Sequence, residues 1–256
     1  MLYICLPSRN EAETIGVLLW RMRKVFSEYS REYEVLVYDD ASTDATRDTL
    51  EPYTKVMPLA ILGGSQQVGY ARAVDALLRA ASERTRYPRR DAVVLMQADF
   101  TDQPEHLPEL VKRFEGGADF VATERVLDDT APEAERKRAR LLRRATTVWP
   151  FRSFVAVDGV PDPFGAYRLI RLSVVRDVLK AREARPVTDL PVSAANAELA
   201  REVVAHARRV ETVPVPPRWD VRPRASRATP WRDAMDVAKR AWATRGLFPA
   251  RRPRES

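Results

Sequence analysis

Two acidic clusters stand directly after apolar runs: Asp39-Asp40 follows Glu34 to Tyr38, and Gln97-Ala98-Asp99 follows Ala92 to Met96. Carboxylates at the mouth of a buried sheet are costly to desolvate unless something compensates them. A divalent cation carrying a diphosphate would do so, and so would the hydroxyls of a sugar nucleotide. The competing use is capping, because strand-to-helix turns need Asp, Ser and Thr at helix starts. Ser42, Thr43 and Asp102 fit that use well, whereas the adjacent pair Asp39-Asp40 points to ligand chemistry.

Other chemistries find less support. The single cysteine, Cys5, excludes an internal disulfide, a Cys-rich zinc site and a C-x-x-C redox pair. It reads as a buried thiol in a reducing, cytoplasmic setting, and the start of the chain lacks the basic region of a secretory signal. His106 and His206 have no Cys, His or Asp partners at ligand spacing. Gly63-Gly64 lacks the Lys-Ser of a phosphate loop and reads as a strand-end turn. No apolar run approaches the roughly 20 residues of a spanning helix, and 45% apolar with 31% charged residues is an ordinary globular composition.

The elements that must position the acidic clusters alternate. Short strands are expected at Tyr3–Leu6, Glu34–Tyr38, Val56–Leu62, Ala92–Met96 and Asp119–Ala122. Between them lie helices, the first capped by Asn10 with Glu13 in capping-box register and faced by Ile15, Leu18, Leu19, Met22 and Phe26. Val68–Ser82 and Pro104–Phe114 are the next clear helices. This rhythm calls for an α/β fold, a mainly parallel sheet with helices on both faces. Such sheets place ligands at the carboxyl ends of their strands. The second half is less regular: helices are expected at Glu133–Val148, Ser173–Ala184 and Ala194–Ala207, and strands at Arg168–Ile170 and Val210–Val215.

Charge is unevenly placed. From Arg201 to Ser256 fourteen Arg or Lys face six Asp or Glu, a balance of +8 against +7 for the whole chain, so residues 1–200 carry −1. A near-neutral body with a basic tail suits a local anionic partner. Trp231, Met235, Ala238 and Trp242 form an apolar stripe among Arg232, Lys239, Arg240 and Arg245, the pattern of a helix lying on an anionic membrane surface. The other use for those aromatics, and for Trp149 and Trp219, is packing. The near-neutral residues 1–200 argue against nucleic acid as a partner.

Leu6-Pro7-Ser8-Arg9-Asn10-Glu11 resembles the I-P-x-x-N-E opening of family 2 glycosyltransferases, and Val37-Tyr38-Asp39-Asp40-Ala41-Ser42-Thr43-Asp44 resembles their V-V-D-D-G-S-T-D. Gly69-Tyr70-Ala71-Arg72-Ala73 sits where they begin a helix with G-x-A-x-A. Met96-Gln97-Ala98-Asp99-Phe100-Thr101-Asp102-Gln103-Pro104-Glu105 is similar to M-D-A-D-L-Q-x-P-P-E, the version typical of polyprenyl- and dolichyl-phosphate sugar transferases. Gly117 to Arg125, Asp162 to Arg168 and Glu211 to Val215 resemble G-A-D-V-V-x-G-S-R, D-x-x-S-G-F-R and V-E-V-P-I. Seven matches in family order between residues 2 and about 227 make the resemblance specific.

The resemblance implies a glycosyltransferase A-type nucleotide-diphospho-sugar transferase fold over 1–227, with 228–256 as a basic amphipathic helix and tail. It implies that Pro7, Glu11, Val37, Asp39, Asp40, Gln97 and Ala98 hold the donor nucleotide, and that Asp99, with Gln97, holds a divalent cation, Mg or Mn. Asp99, Arg125 and Arg168 would serve catalysis, by neutralising the charge that develops on the departing nucleoside diphosphate. Arg222 and Arg227, in a segment similar to R-x-x-G-x-S-K but one residue shorter, would hold a polyprenyl phosphate or related acceptor. The implied protein is cytoplasmic and peripheral on the inner face of the membrane. Gln97 replaces the family's first metal-site Asp and offers a neutral oxygen in its place, so metal affinity should fall. The alternatives are therefore a weak or inactive glycosyltransferase-like binding subunit, or transfer to a sugar hydroxyl with Asp162 as base.

Overall fold

The structure is a computed structural model that describes residues 1–126, 131–147, 156–184, 187–188, 190–216 and 235. Seven strands form one sheet: β1 (Leu2–Ser8), β2 (Tyr33–Asp39), β3 (Leu59–Leu62), β4 (Ala92–Leu95), β5 (Phe120–Arg125), β6 (Arg168–Arg171) and β7 (Val210–Val215), in the order β3-β2-β1-β4-β6-β5-β7. Pairings β1·β2, β2·β3, β1·β4 and β5·β7 are parallel. β6 runs antiparallel to both its neighbours, β4 and β5. The expected mainly parallel α/β sheet is present, and the direction of β6 is the feature that the alternation of elements did not show.

Helices cover both faces because the central strands are apolar on both. Along β1, Leu2, Ile4 and Leu6 join one core with α1 (Ala12–Glu28) and α4 (Leu107–Glu115). Tyr3 and Cys5 join the other core, with α3 (Tyr70–Arg84), α6 (Leu172–Glu183) and α7 (Val192–His206). A period of two along the strand requires this division. Ile15, Leu18, Leu19, Met22 and Phe26 make the buried face of α1, each contributing about 1.5–3 kcal/mol by leaving water. α5 (Glu133–Thr147) matches the basic helix expected there.

Some boundaries moved for physical reasons. The third strand begins at Leu59 because the short helix α2 (Thr46–Leu50) runs into a 3₁₀ turn, Glu51–Lys55, whose Tyr53 carbonyl accepts the N–H groups of Val56 and Met57. β5 extends past Ala122 to Arg125 because β7 pairs with it as far as Arg125↔Val215. Arg125 therefore ends a strand. Among the described residues no helix is long and apolar enough to cross a membrane. The boundary expected at residue 227, and the expected helix around Trp231 to Trp242, lie outside the described residues except for Met235.

Candidate active site

The site is built where β1, β2 and β4 end. Ser8 stands opposite Asp39 in the β1·β2 register, and the Asp40 N–H donates to the Ser8 carbonyl at 2.9 Å. The two turns that follow are stitched together. The Asn10 N–H donates to Ser42 Oγ (2.9 Å), and Asn10 Oδ1 accepts the Thr43 N–H (2.8 Å). The Glu11 N–H donates to Thr46 Oγ1 (2.8 Å) and the Ala12 N–H to Asp44 Oδ2 (3.2 Å). Asn10 is thus not the cap of α1, contrary to expectation. Its φ of 54° swings it out of the helix, Glu11 occupies the cap position, and Asp44 satisfies an orphan N–H of α1 from the neighbouring turn. Burial raises the Asp44 pKa, but the Thr46 hydroxyl and the backbone N–H groups of Ala12 and Thr46 outweigh it and hold the carboxyl below its usual range.

Ala41 also sits at positive φ, 52°, a region that costs a Cβ-bearing residue about 1–2 kcal/mol. Ala41→Gly is expected to leave the fold unchanged and to raise stability by about 0.5 kcal/mol, since relief of strain is partly offset by the extra freedom of glycine in the unfolded chain. Urea denaturation checks the sign.

The acidic pair divides. Asp40, 5% exposed, spends its carboxylate on the backbone, accepting the N–H groups of Val68 (2.6 Å) and Gly69 (3.1 Å) just before α3. It ties the turn before α3 to the end of β2, across 28 residues of chain. Asp39 accepts one N–H, from Ser42 at 3.2 Å, and Arg47 Nη1 lies 3.9 Å from its other oxygen. Pro7 is half-buried at the end of β1. The Val37 side chain is fully buried in the core with α1, so any ligand contact there is through its backbone.

The loop after β4 alternates. Met96, Ala98 and Phe100 are buried in the α1 core, which leaves Gln97 and Asp99 half-buried on the other side. The Ala98 side chain, like that of Val37, faces the core. The loop is braced from within: the Gln97 N–H donates to Asp102 Oδ2 (2.8 Å) and the Thr101 N–H to Asp99 Oδ1 (3.1 Å). Phe100 adopts a φ of 69°, and the Tyr167 hydroxyl donates to the Gln103 carbonyl at 3.0 Å. Burial pushes the Asp102 carboxyl up to about 7, and the nearby Asp99 charge adds to this. Between about pH 4 and 7 the folded chain therefore binds a proton there that the unfolded chain does not. Asp102 thus makes stability fall as pH rises through that window, by at most about 1.4 kcal/mol per pH unit. Asp102→Asn should flatten that part of the profile, as read by thermal melts at pH 5 and 7.5.

Arg125 donates its Nε–H to Asp162 Oδ2 at 2.6 Å. Asp162 Oδ1 accepts the N–H groups of Phe164 and Gly165, both at 3.1 Å. Burial would raise the Asp162 pKa, but the Arg125 charge, its hydrogen bond and the Phe164 N–H hold it below the usual carboxylate range. Asp99, Arg125 and Asp162 all lie close enough to act electrostatically on Asp102, so the residues that follow β4 and end β5 come together.

Arg168 does not belong to its surface. It is 2% exposed and donates to the carbonyls of Asn196 (3.0 Å), Gly165 and Pro163 (3.4 Å). Burial lowers its pKa to about 10. The expected catalytic role gives way to a positioning one, because a guanidinium enclosed by backbone carbonyls cannot touch a substrate. Asn196 completes the brace: its Nδ2 donates to the Phe164 carbonyl (3.0 Å) and its Oδ1 accepts the Tyr70 hydroxyl (2.9 Å). Sequence reasoning missed both residues, although an Asn among alanines on a buried helix face was the available signal. Arg222 and Arg227 lie outside the described residues.

The sequence model of glycosyl transferase family 2 matches residues 3–179, and the chain belongs to this family. A bactoprenol glucosyl transferase of Shigella phage SfV is 26% identical over 178 residues, covering 68% of this chain and 53% of that protein. A dolichol-phosphate mannosyltransferase of Pyrococcus furiosus is 23% identical over 175 residues, covering 68% and 47%. The chain thus matches about half the length of these relatives. Among solved structures, glucosyl-3-phosphoglycerate synthase from Mycobacterium tuberculosis, in complex with Mn²⁺, UDP and glucosyl-3-phosphoglycerate, shares the fold with a TM-score of 0.63. It is 17% identical, with 98% of this chain and 81% of that one covered. S. aureus TarS 1–349 in complex with UDP-GlcNAc follows at 0.59 and 15% identity, with 94% and 65% covered. These neighbours establish the glycosyltransferase A-type fold.

Proposed function

We propose that the chain moves a hexosyl unit from a nucleotide-diphospho-sugar to a polyprenyl phosphate or related lipid-phosphate acceptor, assisted by Mg or Mn. The observation that carries this reading is the meeting of Asp39, the Gln97–Asp99 segment and Arg125 at one edge of the sheet in a family 2 chain. Asp39, with Pro7, Glu11 and the backbone at Val37, would receive the nucleoside. Arg125, anchored by Asp162, would face the diphosphate.

The residues present fit a hard cation. Gln97 and Asp99 offer oxygen donors. Among the described residues no group of three or more His, Cys, Asp or Glu is gathered to hold a metal, so the substrate must complete the ligand set. That is the usual arrangement for Mg²⁺, which binds one or two carboxylates plus substrate phosphates. Ser8 Oγ and Thr101 Oγ1, buried and without protein partners, are further polar groups near these turns. When bound, the cation neutralises charge on the leaving diphosphate. Gln97→Asp is expected to tighten Mn²⁺ binding in the presence of UDP by about tenfold, because a carboxylate adds charge to the ligand set, and Asp99→Asn to abolish it. Calorimetric titration of Mn²⁺ distinguishes the two outcomes.

Acceptor chemistry follows from ionisation. A sugar hydroxyl must lose a proton during attack and needs a base with a pKa near the working pH. Asp162 is held well below that by Arg125, which makes it a poor base. A phosphate monoester has a second pKa of about 6 and needs none; it needs cations, which Arg222 and Arg227 would supply. The names of the phage and archaeal relatives support the same acceptor class. The test is incubation of the protein with UDP-, GDP-, dTDP- and CDP-sugars, Mn²⁺ or Mg²⁺ and undecaprenyl phosphate. Formation of a glycosylated lipid phosphate is expected; donor binding without turnover would favour the binding-subunit reading that Gln97 suggests.

A further inference from the structure

At the opposite end of the sheet, by the amino ends of β1 and β4, lies a cavity of about 770 Å³. Seven residues of β1 at about 3.3 Å each place it about 20 Å from the candidate active site. Six arginines and three carboxylates line it. Three of those arginines are already neutralised: Arg31 pairs with Glu115, Arg84 with Glu34 (3.2 Å) and Arg171 with Asp119 (2.7 Å). Arg86, Arg89 and Arg90 are exposed, and among the described residues no carboxylate pairs with them.

The loop that presents these three is fixed in shape. The Tyr87 carbonyl accepts the N–H groups of Arg90 (2.8 Å) and Asp91 (2.9 Å), and the Thr85 hydroxyl bonds to the Asp91 carboxylate. Arg171 grips the Arg89 carbonyl from below, and Arg176 Nη2 donates to the Thr85 carbonyl at 3.2 Å. Three uncompensated guanidiniums thus stand on an ordered turn around a concavity, with Tyr87 among them 62% exposed. Guanidinium forks match phosphate oxygens in pairs, and an ordered backbone leaves only the side chains to be fixed on binding.

We propose that this cavity is a second, discrete anion site for a soluble compound carrying two linked phosphate groups. Asp91 is paired with the amino terminus and Glu115 with Arg31, so among the described residues the three unpaired guanidiniums face one unpaired carboxylate, Glu32. The lining thus keeps an excess of positive charge for a diphosphate, whose charge near neutral pH is about −3. A concave site of this volume favours a compact ligand over a planar surface such as a bilayer. The site lies outside the candidate active site, and its occupancy does not depend on the transferase reading.

The test is calorimetric titration of the full chain with inorganic pyrophosphate in EDTA, so that no metal-dependent binding contributes. One site is expected. Its affinity should fall at least tenfold in Arg86→Ala/Arg89→Ala/Arg90→Ala and also in the milder Arg89→Gln/Arg90→Gln, stay unchanged in Asp39→Ala, and weaken steeply with added salt. Inorganic phosphate should bind at least tenfold more weakly than pyrophosphate. Binding that is lost in Asp39→Ala and retained in both arginine variants overturns the proposal. So does a chain that ignores pyrophosphate but sediments with phosphatidylglycerol vesicles in an Arg86-, Arg89- and Arg90-dependent way, because the loop is then a membrane contact.

Discussion

Asp39→Ala is expected to weaken binding of a nucleoside diphosphate by about 10- to 100-fold while the chain stays folded. The carboxylate ends β2 at the ligand edge of the sheet, and only one backbone N–H, that of Ser42, is seen to occupy it. Charge-assisted hydrogen bonds contribute about 1.5–3 kcal/mol each, which sets the size of the loss. The folding cost is smaller, since orphaning the Ser42 N–H removes about 1 kcal/mol from a total of about 5–15. Asp39→Asn separates the two effects, because the amide oxygen still accepts from Ser42 but the charge is gone. Calorimetry reads the affinity and circular dichroism the fold. Nucleotide affinity unchanged in both variants would remove Asp39 from the site.

Gly63→Ala is expected to destabilise the chain by about 3–5 kcal/mol or to prevent folding, the scale of overpacking combined with a forbidden backbone angle. Gly63 has a φ of 102°, and a Cβ there would stand 2.2 Å from the Asp39 carbonyl oxygen and 3.0 Å from its carbonyl carbon. Backbone cannot yield as a side-chain tip would, so either β3 separates from β2 or Asp39 is displaced. The neighbouring glycine supplies the control. A Cβ on Gly64 meets nothing within 4 Å, so Gly64→Ala should change stability by less than about 0.5 kcal/mol. Equal melting temperatures for the two variants would show that the approach of Gly63 to Asp39 is not a constraint.

The pair Gly63-Gly64 shows how far the sequence reaches. Its absence from any phosphate-loop pattern correctly made it a strand-end turn, but its pressure on Asp39 needs the β2·β3 register to be seen. The same limit recurs at α3. Periodicity placed its start near Val68, whereas it begins at Tyr70, because Gly69, with a φ of 88°, lies outside the helical region while its N–H and that of Val68 turn to Asp40. Short apolar runs between helices marked the strands, down to Val210–Val215. Direction carries no such pattern, which is why β6 went unrecognised as antiparallel. In the site, the motifs located the right turns but could not divide labour within them. Asp39 and Asp40 are chemically identical and adjacent, and only their partners separate the ligand edge from a tie to the turn before α3. Val37, Ala98 and Arg168 fall within the matching motifs, and burial alone shows that their side chains serve the core or the braced loop.

Because β6 lies between β4 and β5, a growing chain that has just produced β5 has no neighbour to give it. One edge of β5 waits for residues 168–171 and the other for 210–215, the latter about ninety residues later. At typical elongation rates that interval is roughly 5–20 s. Until β6 is made, about halfway through it, Phe120 and Val121, fully buried in the finished sheet, have no strand on either side and the edge of β4 that β6 will cover is equally open; after that, the β7 edge of β5 is still bare. Unpaired apolar edges are templates for pairing with other chains. The half-sheet β3-β2-β1-β4 completes early from sequence-local crossovers, whereas the second half closes only when its last strand arrives. A chain interrupted between β5 and β7 therefore presents apolar strand edges that the finished sheet hides.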